Sequence, residues 1–296
     1  MANVFKSEKG REQVLKSYNH LLKLWDTDIE EVDLKTKYGL THCIIAGDKL
    51  KPPLLMFHGV GDNSAVMWLL NMKELSRHFY CIAVDTIGGP GKSAPNENYN
   101  RKSFNQVDWI NEIVEQLKIS NFNIIGVSNG AYMALNYTTR EKHRVNKVVC
   151  LEGGIVINPI KSMIGTLLLL FPEILIPTRS NQIKAMKKLL SPNSNLFEMH
   201  PEVIEHLLLV TKSHNNKAML GHKLEKYDKE RAIAVREKLY FLLGDHMIDT
   251  RKERKEYINI LDDGGFNYKI ISNSGHAINH EQPAIVHNEI VHFLLG

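Results

Sequence analysis

The chain reads as an α/β protein, an antiparallel hairpin feeding a mostly parallel, doubly wound sheet, with a helical insertion late in the sheet. Three observations predict this. Apolar runs at Leu54–Phe57, Tyr80–Val84, Phe122–Val127, Lys147–Leu151, Leu239–Leu243 and Tyr268–Ile271 are continuous, as strands buried on both faces must be. Helical segments separate them at Ala65–Ser76, Ser103–Leu117, Ala131–Thr139, Arg251–Leu261 and Pro283–Leu294, so strands return by crossovers to parallel neighbours. Between about residues 155 and 236 this alternation lapses into apolar helical segments broken by Pro159, Pro172, Pro177, Pro192 and Pro201.

In chain order, residues 1–26 form an amphipathic leader helix whose apolar face is Val14, Leu15, Leu21, Leu22, Leu24 and Trp25. Two alternating runs, Glu31–Lys37 and Thr41–Ala46, follow around Tyr38-Gly39-Leu40 and read as a hairpin. The insertion has two readings, a helical piece that completes the core or a cap over a substrate pocket. The cap is favoured, because the insertion interrupts the sheet at a single connection. Residues 1–154 and 237–296 then form the core, and residues 155–236 the helical cap.

Composition narrows the function. The 296 residues are 43% hydrophobic and 24% charged, an ordinary globular balance that can bury a large core. Against 37 basic and 33 acidic residues a net charge of +4 is small, and the cations are scattered, so no nucleic-acid partner is expected. Charged residues Lys6, Glu8, Lys9, Arg11 and Glu12 read against a secretory signal. The longest apolar stretch, Met163–Pro177, is shorter than the ~20 residues of a membrane span. Cys43, Cys81 and Cys150 lie in apolar strand-like runs and read as reduced core residues, which makes the cytoplasm the expected location. Four histidines of the insertion, His200, His206, His214 and His222, show no metal-binding spacing, so neither metal nor cofactor is expected.

Chemistry concentrates where strands end. Gly126-Val127-Ser128-Asn129-Gly130 joins the run Phe122–Val127 to the helix Ala131–Thr139, the setting of a nucleophile on a tight strand-to-helix turn. A helix N-terminus behind that serine favours developing negative charge. An unassisted hydroxyl is a poor nucleophile and needs a base. His276, in Asn273-Ser274-Gly275-His276 just beyond the last strand, can supply it from the same sheet edge. His58-Gly59-Val60-Gly61 follows the strand Leu54–Phe57, as an amide-donating loop or as a glycine-rich turn over a buried His58. The segment from Asp85 through Gly91-Lys92-Ser93 looks like a phosphate loop, but its first glycine would fall on Thr86, so a structural loop turning the chain back over the sheet is expected.

His58-Gly59, the Asp85 loop, the Ser128 elbow and Gly275-His276 with Glu281-Gln282-Pro283 together resemble the α/β-hydrolase superfamily. Within it the chain is similar to bacterial carboxylesterases of the naproxen-esterase type, over about residues 15–296 and least in the insertion. The loop from Asp85 departs by one extra residue between Gly88 and Gly91. The resemblance implies an α/β-hydrolase fold and a serine carboxylesterase working through an acyl-enzyme. Ser128 is then the nucleophile, His276 the base, and the amides of Val60 and Asn129 the oxyanion hole. The usual acid position, three residues beyond Gly244, holds Met247. Of three substitutes, Glu152, 24 residues beyond Ser128 as in some haloalkane dehalogenases, is favoured over Asp249 and Asp245 beside the gap. Apolar side chains of the insertion, Met163, Ile164, Leu167–Leu170, Phe171, Ile174 and Leu175, point to a small hydrophobic ester as the substrate. Thioesterase, lactonase, carbon–carbon hydrolase and perhydrolase chemistry are alternatives, as is a non-catalytic ligand-binding protein on the same fold.

Overall fold

The computed structural model describes residues 3–173, 175–176, 178–246 and 251–296. Its sheet contains β1 (Ile29–Thr36), β2 (Gly39–Ala46), β3 (Pro53–Phe57), β4 (Tyr80–Val84), β5 (Ala94–Pro95), β6 (Phe122–Val127), β7 (Val145–Leu151), β8 (Leu239–Gly244) and β9 (Asn267–Ile271). The order is β1-β2-β4-β3-β6-β7-β8-β9, with β5 paired to β2. β2 pairs antiparallel with both β1 and β4, and from β4 to β9 every pairing is parallel. These parallel pairings put the carboxyl ends of β4, β3, β6, β7, β8 and β9 on one edge, and the strand order reverses between β3 and β6, where open α/β sheets bind ligands.

The continuous apolar runs have the expected cause. Leu55, Phe57, Ile124, Val148 and Cys150 face one core layer, while Leu54, Met56, Ile125, Val149 and Leu151 face the other. The helices α2 (Gln106–Gln116), α3 (Asn129–Arg140) and α7 (Arg251–Gly264) cover the first layer. The second is covered by α1 (Glu8–Lys23), α6 (Pro201–Ser213) and α8 (Pro283–Leu295). All three cysteines are buried and free.

Local chemistry explains where boundaries differ from the sequence expectation. The helix expected over Ala65–Ser76 is two short pieces, Ser64–Met67 and Met72–Leu75. The second begins after the buried Asn71, whose amide donates to Asn279 O (2.9 Å) and bonds His287 Nε2 (2.9 Å), so tertiary bonds hold the break. α2 starts three residues later than expected because the Asn105 side chain accepts from Val107 N and caps it there. The leader helix runs from Ser7, its cap, and buries Val14, Tyr18, Leu21 and Leu22, with Trp25 just beyond. Leu15 is half-buried and Leu24 exposed, so Tyr18 takes the place on the apolar face expected of Leu15.

Between β7 and β8 the described residues hold helices and no strand, including α4 (Pro159–Leu170), α5 (Arg179–Lys187) and α6. The two halves differ. α6 puts Val203, Ile204 and Leu208 into the core and is stapled by α1 and the residues before it: His206 Nδ1 bonds Ser17 Oγ (2.9 Å) and Lys6 N donates to Ser213 O (2.8 Å). Around α4 and α5, by contrast, Ile164, Leu168, Phe171 and Leu175 are exposed and belong to no core layer, while Met163, Leu167 and Ile174 lie outside the described side chains. No described helix is long and apolar enough to cross a membrane.

Candidate active site

Ser128 sits between β6 and α3 with φ +56° and ψ −114°, a backbone conformation that non-glycine residues seldom adopt. Such strain costs on the order of 1–3 kcal/mol and persists only where the surroundings impose it. Here Ser128 N donates to Leu151 O (2.8 Å) and Ser128 O accepts from Tyr132 N (3.1 Å), so β7 and α3 both grip the turn. The glycines on either side are required by contact: a Cβ on Gly126 would strike the Gly130 backbone, and one on Gly130 the carbonyl of Phe57.

The β3 loop lies directly against this turn, since a Cβ built on Gly59 would stand 3.6 Å from Ser128 Cβ. His58 is buried and locks that loop: Nδ1 donates to Gly59 O (2.8 Å) while Nε2 accepts from Thr86 N (2.8 Å). Burial holds this imidazole below the usual histidine range, so it is a neutral brace between the β3 and β4 loops. His206, His222 and His280 are likewise pushed down to about 4 by burial. The Asp85 loop is structural as expected. Asp85 accepts from Tyr18 Oη (2.9 Å), Ser64 N (3.0 Å) and Lys92 N (2.7 Å), and the chain then returns as β5 beside β2. Val60 is exposed and Asn129 buried.

Glu152 follows β7, also with a positive φ of 50°, and its side chain is almost fully buried. One carboxylate oxygen accepts the Gly244 N–H at the end of β8. The other lies 3.5 Å from His276 Nδ1, which has no hydrogen-bond partner among the described residues. That distance is within ion-pair range and longer than a charge-assisted hydrogen bond; such contacts in ligand-free sites commonly tighten when substrate binds. The structure therefore brings Glu152 to His276. Asp245 does something else: its oxygens accept Asn273 N (3.0 Å) and Ser274 N (3.2 Å), shaping the turn before His276. Met247 and Asp249 lie outside the described residues.

Two residues of this edge escaped the sequence reading. Gly153 abuts the elbow so closely that a Cβ there would stand 2.6 Å from Ser128 O. Gly153→Ala is therefore expected to displace the Ser128 turn and lower Tm, which a melting curve checks. Asp62, in the β3 loop, is pushed up to about 7, chiefly by burial; its bond from Asn63 N opposes the shift, Asp85 adds to it and the charge of His276 offsets part. Because the folded value lies above the unfolded ~3.9, ionising Asp62 costs stability progressively from about pH 4 to pH 7. Asp62→Asn should therefore raise Tm at pH 8 and leave it unchanged at pH 4, which thermal melts at the two pH values will show. No polar pattern in the sequence distinguishes either residue, since both act through contacts made only in the fold.

Residues 52–172 match the family model for the alpha/beta hydrolase fold. In solved structures, naproxen esterase (carboxylesterase NP) from Bacillus subtilis superposes with a TM-score of 0.80 at 23% identity, covering 97% of this chain and 99% of that one. The chain has the α/β-hydrolase fold. Carboxylesterase CesB (YbfK) of the same organism superposes with a TM-score of 0.79 at 20% identity, over 97% and 98% of the two chains. In sequence, this hydrolase-fold protein is 24% identical over 283 residues to the uncharacterised carboxylesterase Nap of Bacillus subtilis, covering 94% of this chain and 90% of that protein. Similarity to carboxylesterase YbfK is also 24%, over 95% and 93%. The likeness thus runs through the insertion and both ends of the sheet.

Proposed function

We propose that the protein is a serine carboxylesterase in which Ser128, His276 and Glu152 form the triad. The observation that carries this is the buried carboxylate of Glu152, held 3.5 Å from His276 Nδ1 on the sheet edge that bears the strained Ser128 turn. Nδ1 paired in this way leaves Nε2 as the nitrogen that serves the nucleophile. In the reaction, Ser128 Oγ attacks the ester carbonyl while His276 takes its proton. The amides of Val60 and Asn129 stabilise the tetrahedral oxyanion, where one lost donor costs about 3 kcal/mol. His276 then gives the proton to the departing alcohol, leaving Ser128 acylated. Water attacks the acyl-enzyme, its proton passing through His276 back to Ser128 Oγ. The part of residues 155–236 around α4 and α5 acts as the cap, its exposed apolar side chains receiving a hydrophobic acyl or alcohol group.

Similarity in sequence and fold to carboxylesterases supports this reading, and the free buried thiols fit a reducing compartment such as the cytoplasm. A panel of short p-nitrophenyl esters, thioesters and lactones tests it. Ester turnover above the other classes supports the assignment, whereas a folded protein inert to all of them would return the non-catalytic reading.

A further inference from the structure

Glu281 belongs to the segment Glu281-Gln282-Pro283 that the triad does not use, and its half-buried carboxylate joins two distant parts of the chain. Oε2 accepts the Gly275 N–H (2.7 Å), immediately before His276. Oε1 accepts the N–H of Ser191 (2.8 Å), which follows α5 in the insertion. The same seam carries a third bond, in which His276 N donates to Leu189 O (2.7 Å). A Cβ on Gly275 would stand 2.6 Å from Leu189 O, so the two backbones touch and only glycine fits between them. Leu190 and Ile278, one from each side, are buried in the same core layer.

The three N–H groups in this seam are those of Gly275, His276 and Ser191. The loop bearing His276 is thus built against residues 189–191 rather than against the sheet alone. Asp245 fixes only the turn before it, through Asn273 and Ser274. From the carboxylate that spans the seam we infer that Glu281 is a positioning residue, seating the His276 loop on the insertion so that the base is in place only while segment Leu189–Ser191 is docked. A shift of α5 then reaches His276 directly, because Leu189 N donates to Met186 O (3.0 Å) and so continues the end of that helix.

The kinetic side of this proposal rests on the esterase reading; the structural side does not. Glu281→Gln keeps the shape, but its amide accepts at one oxygen and turns a donor toward the other N–H. Site-resolved hydrogen exchange on Glu281→Gln and Glu281→Ala should show the amides of Gly275, His276 and Ser191 losing protection together, while the β-strands stay protected. On a p-nitrophenyl ester, Glu281→Ala should lower kcat about 100-fold with KM unchanged, the order of loss for a misplaced catalytic group, and Glu281→Gln should fall between it and wild type. Combining Glu281→Ala with Glu152→Gln should add little to the larger single loss, since both act through His276. Gly275 and His276 remaining protected in Glu281→Gln, or losses that multiply in the double variant, would overturn the inference. A wild-type protein inert to all esters would sink the esterase reading and leave the exchange result to decide the seam.

Discussion

Ser128→Ala is expected to lower kcat on a short p-nitrophenyl ester by about 10⁶-fold, the scale seen when a triad serine is removed. The substitution is a clean one. Alanine has the same difficulty with φ +56° as serine, so the strained turn, its bond to Leu151 O and the bond from Tyr132 N are kept while the hydroxyl goes. Circular dichroism and Tm should be those of the wild type. Ser128→Gly gives the complementary result, an equal loss of activity with a higher Tm, because glycine adopts the turn without strain. Comparable turnover in Ser128→Ala would place the nucleophile elsewhere.

Glu152→Gln should lower kcat by about 10⁴-fold with KM little changed, the loss found when a triad carboxylate becomes an amide. The amide can still accept the Gly244 N–H, so the fold around β8 is preserved. What it presents to His276 Nδ1 can be a donor, which favours the wrong tautomer of the imidazole. The competing acids serve as controls. Asp245→Asn keeps one acceptor for the Asn273–Ser274 turn and should lose about tenfold, as expected for a small disturbance of a positioned group. Asp249→Asn should behave as wild type. Near-wild-type turnover in Glu152→Gln, with a collapse in Asp249→Asn, would move the acid to the β8 loop.

The sheet was legible because its central strands are buried on both faces, which leaves runs such as Phe122–Val127 with no polar alternation to confuse. Ser128 and His276 stood out as candidates for a related reason, as polar residues placed just where such a run stops. Glu152 could be preferred over Asp245 and Asp249 from its place after β7 and its spacing from Ser128, but its contacts could not be read from the sequence. What settles its surroundings is the approach of Gly244 and His276, 92 and 124 residues further along the chain. The same holds for Asn71, whose buried bonds to Asn279 and His287 break a stretch that reads as one helix. In the insertion, the apolar pattern of α6 and that of α4 look alike, yet one fills the core and the other is exposed. The difference comes from α1 and the residues leading into it, which cover α6 through contacts between Ser17 and His206 and between Lys6 and Ser213. Helical periodicity carries no record of such a partner.

The central claim is that Ser128 is a nucleophile activated by His276, and labelling with a fluorophosphonate tests it most directly. Intact-mass and peptide mass spectrometry should find a single adduct on Ser128 in the wild type, none in Ser128→Ala, and a greatly slowed reaction in His276→Ala. A folded wild-type protein that takes no label, or an adduct on another residue that persists in Ser128→Ala, would contradict it.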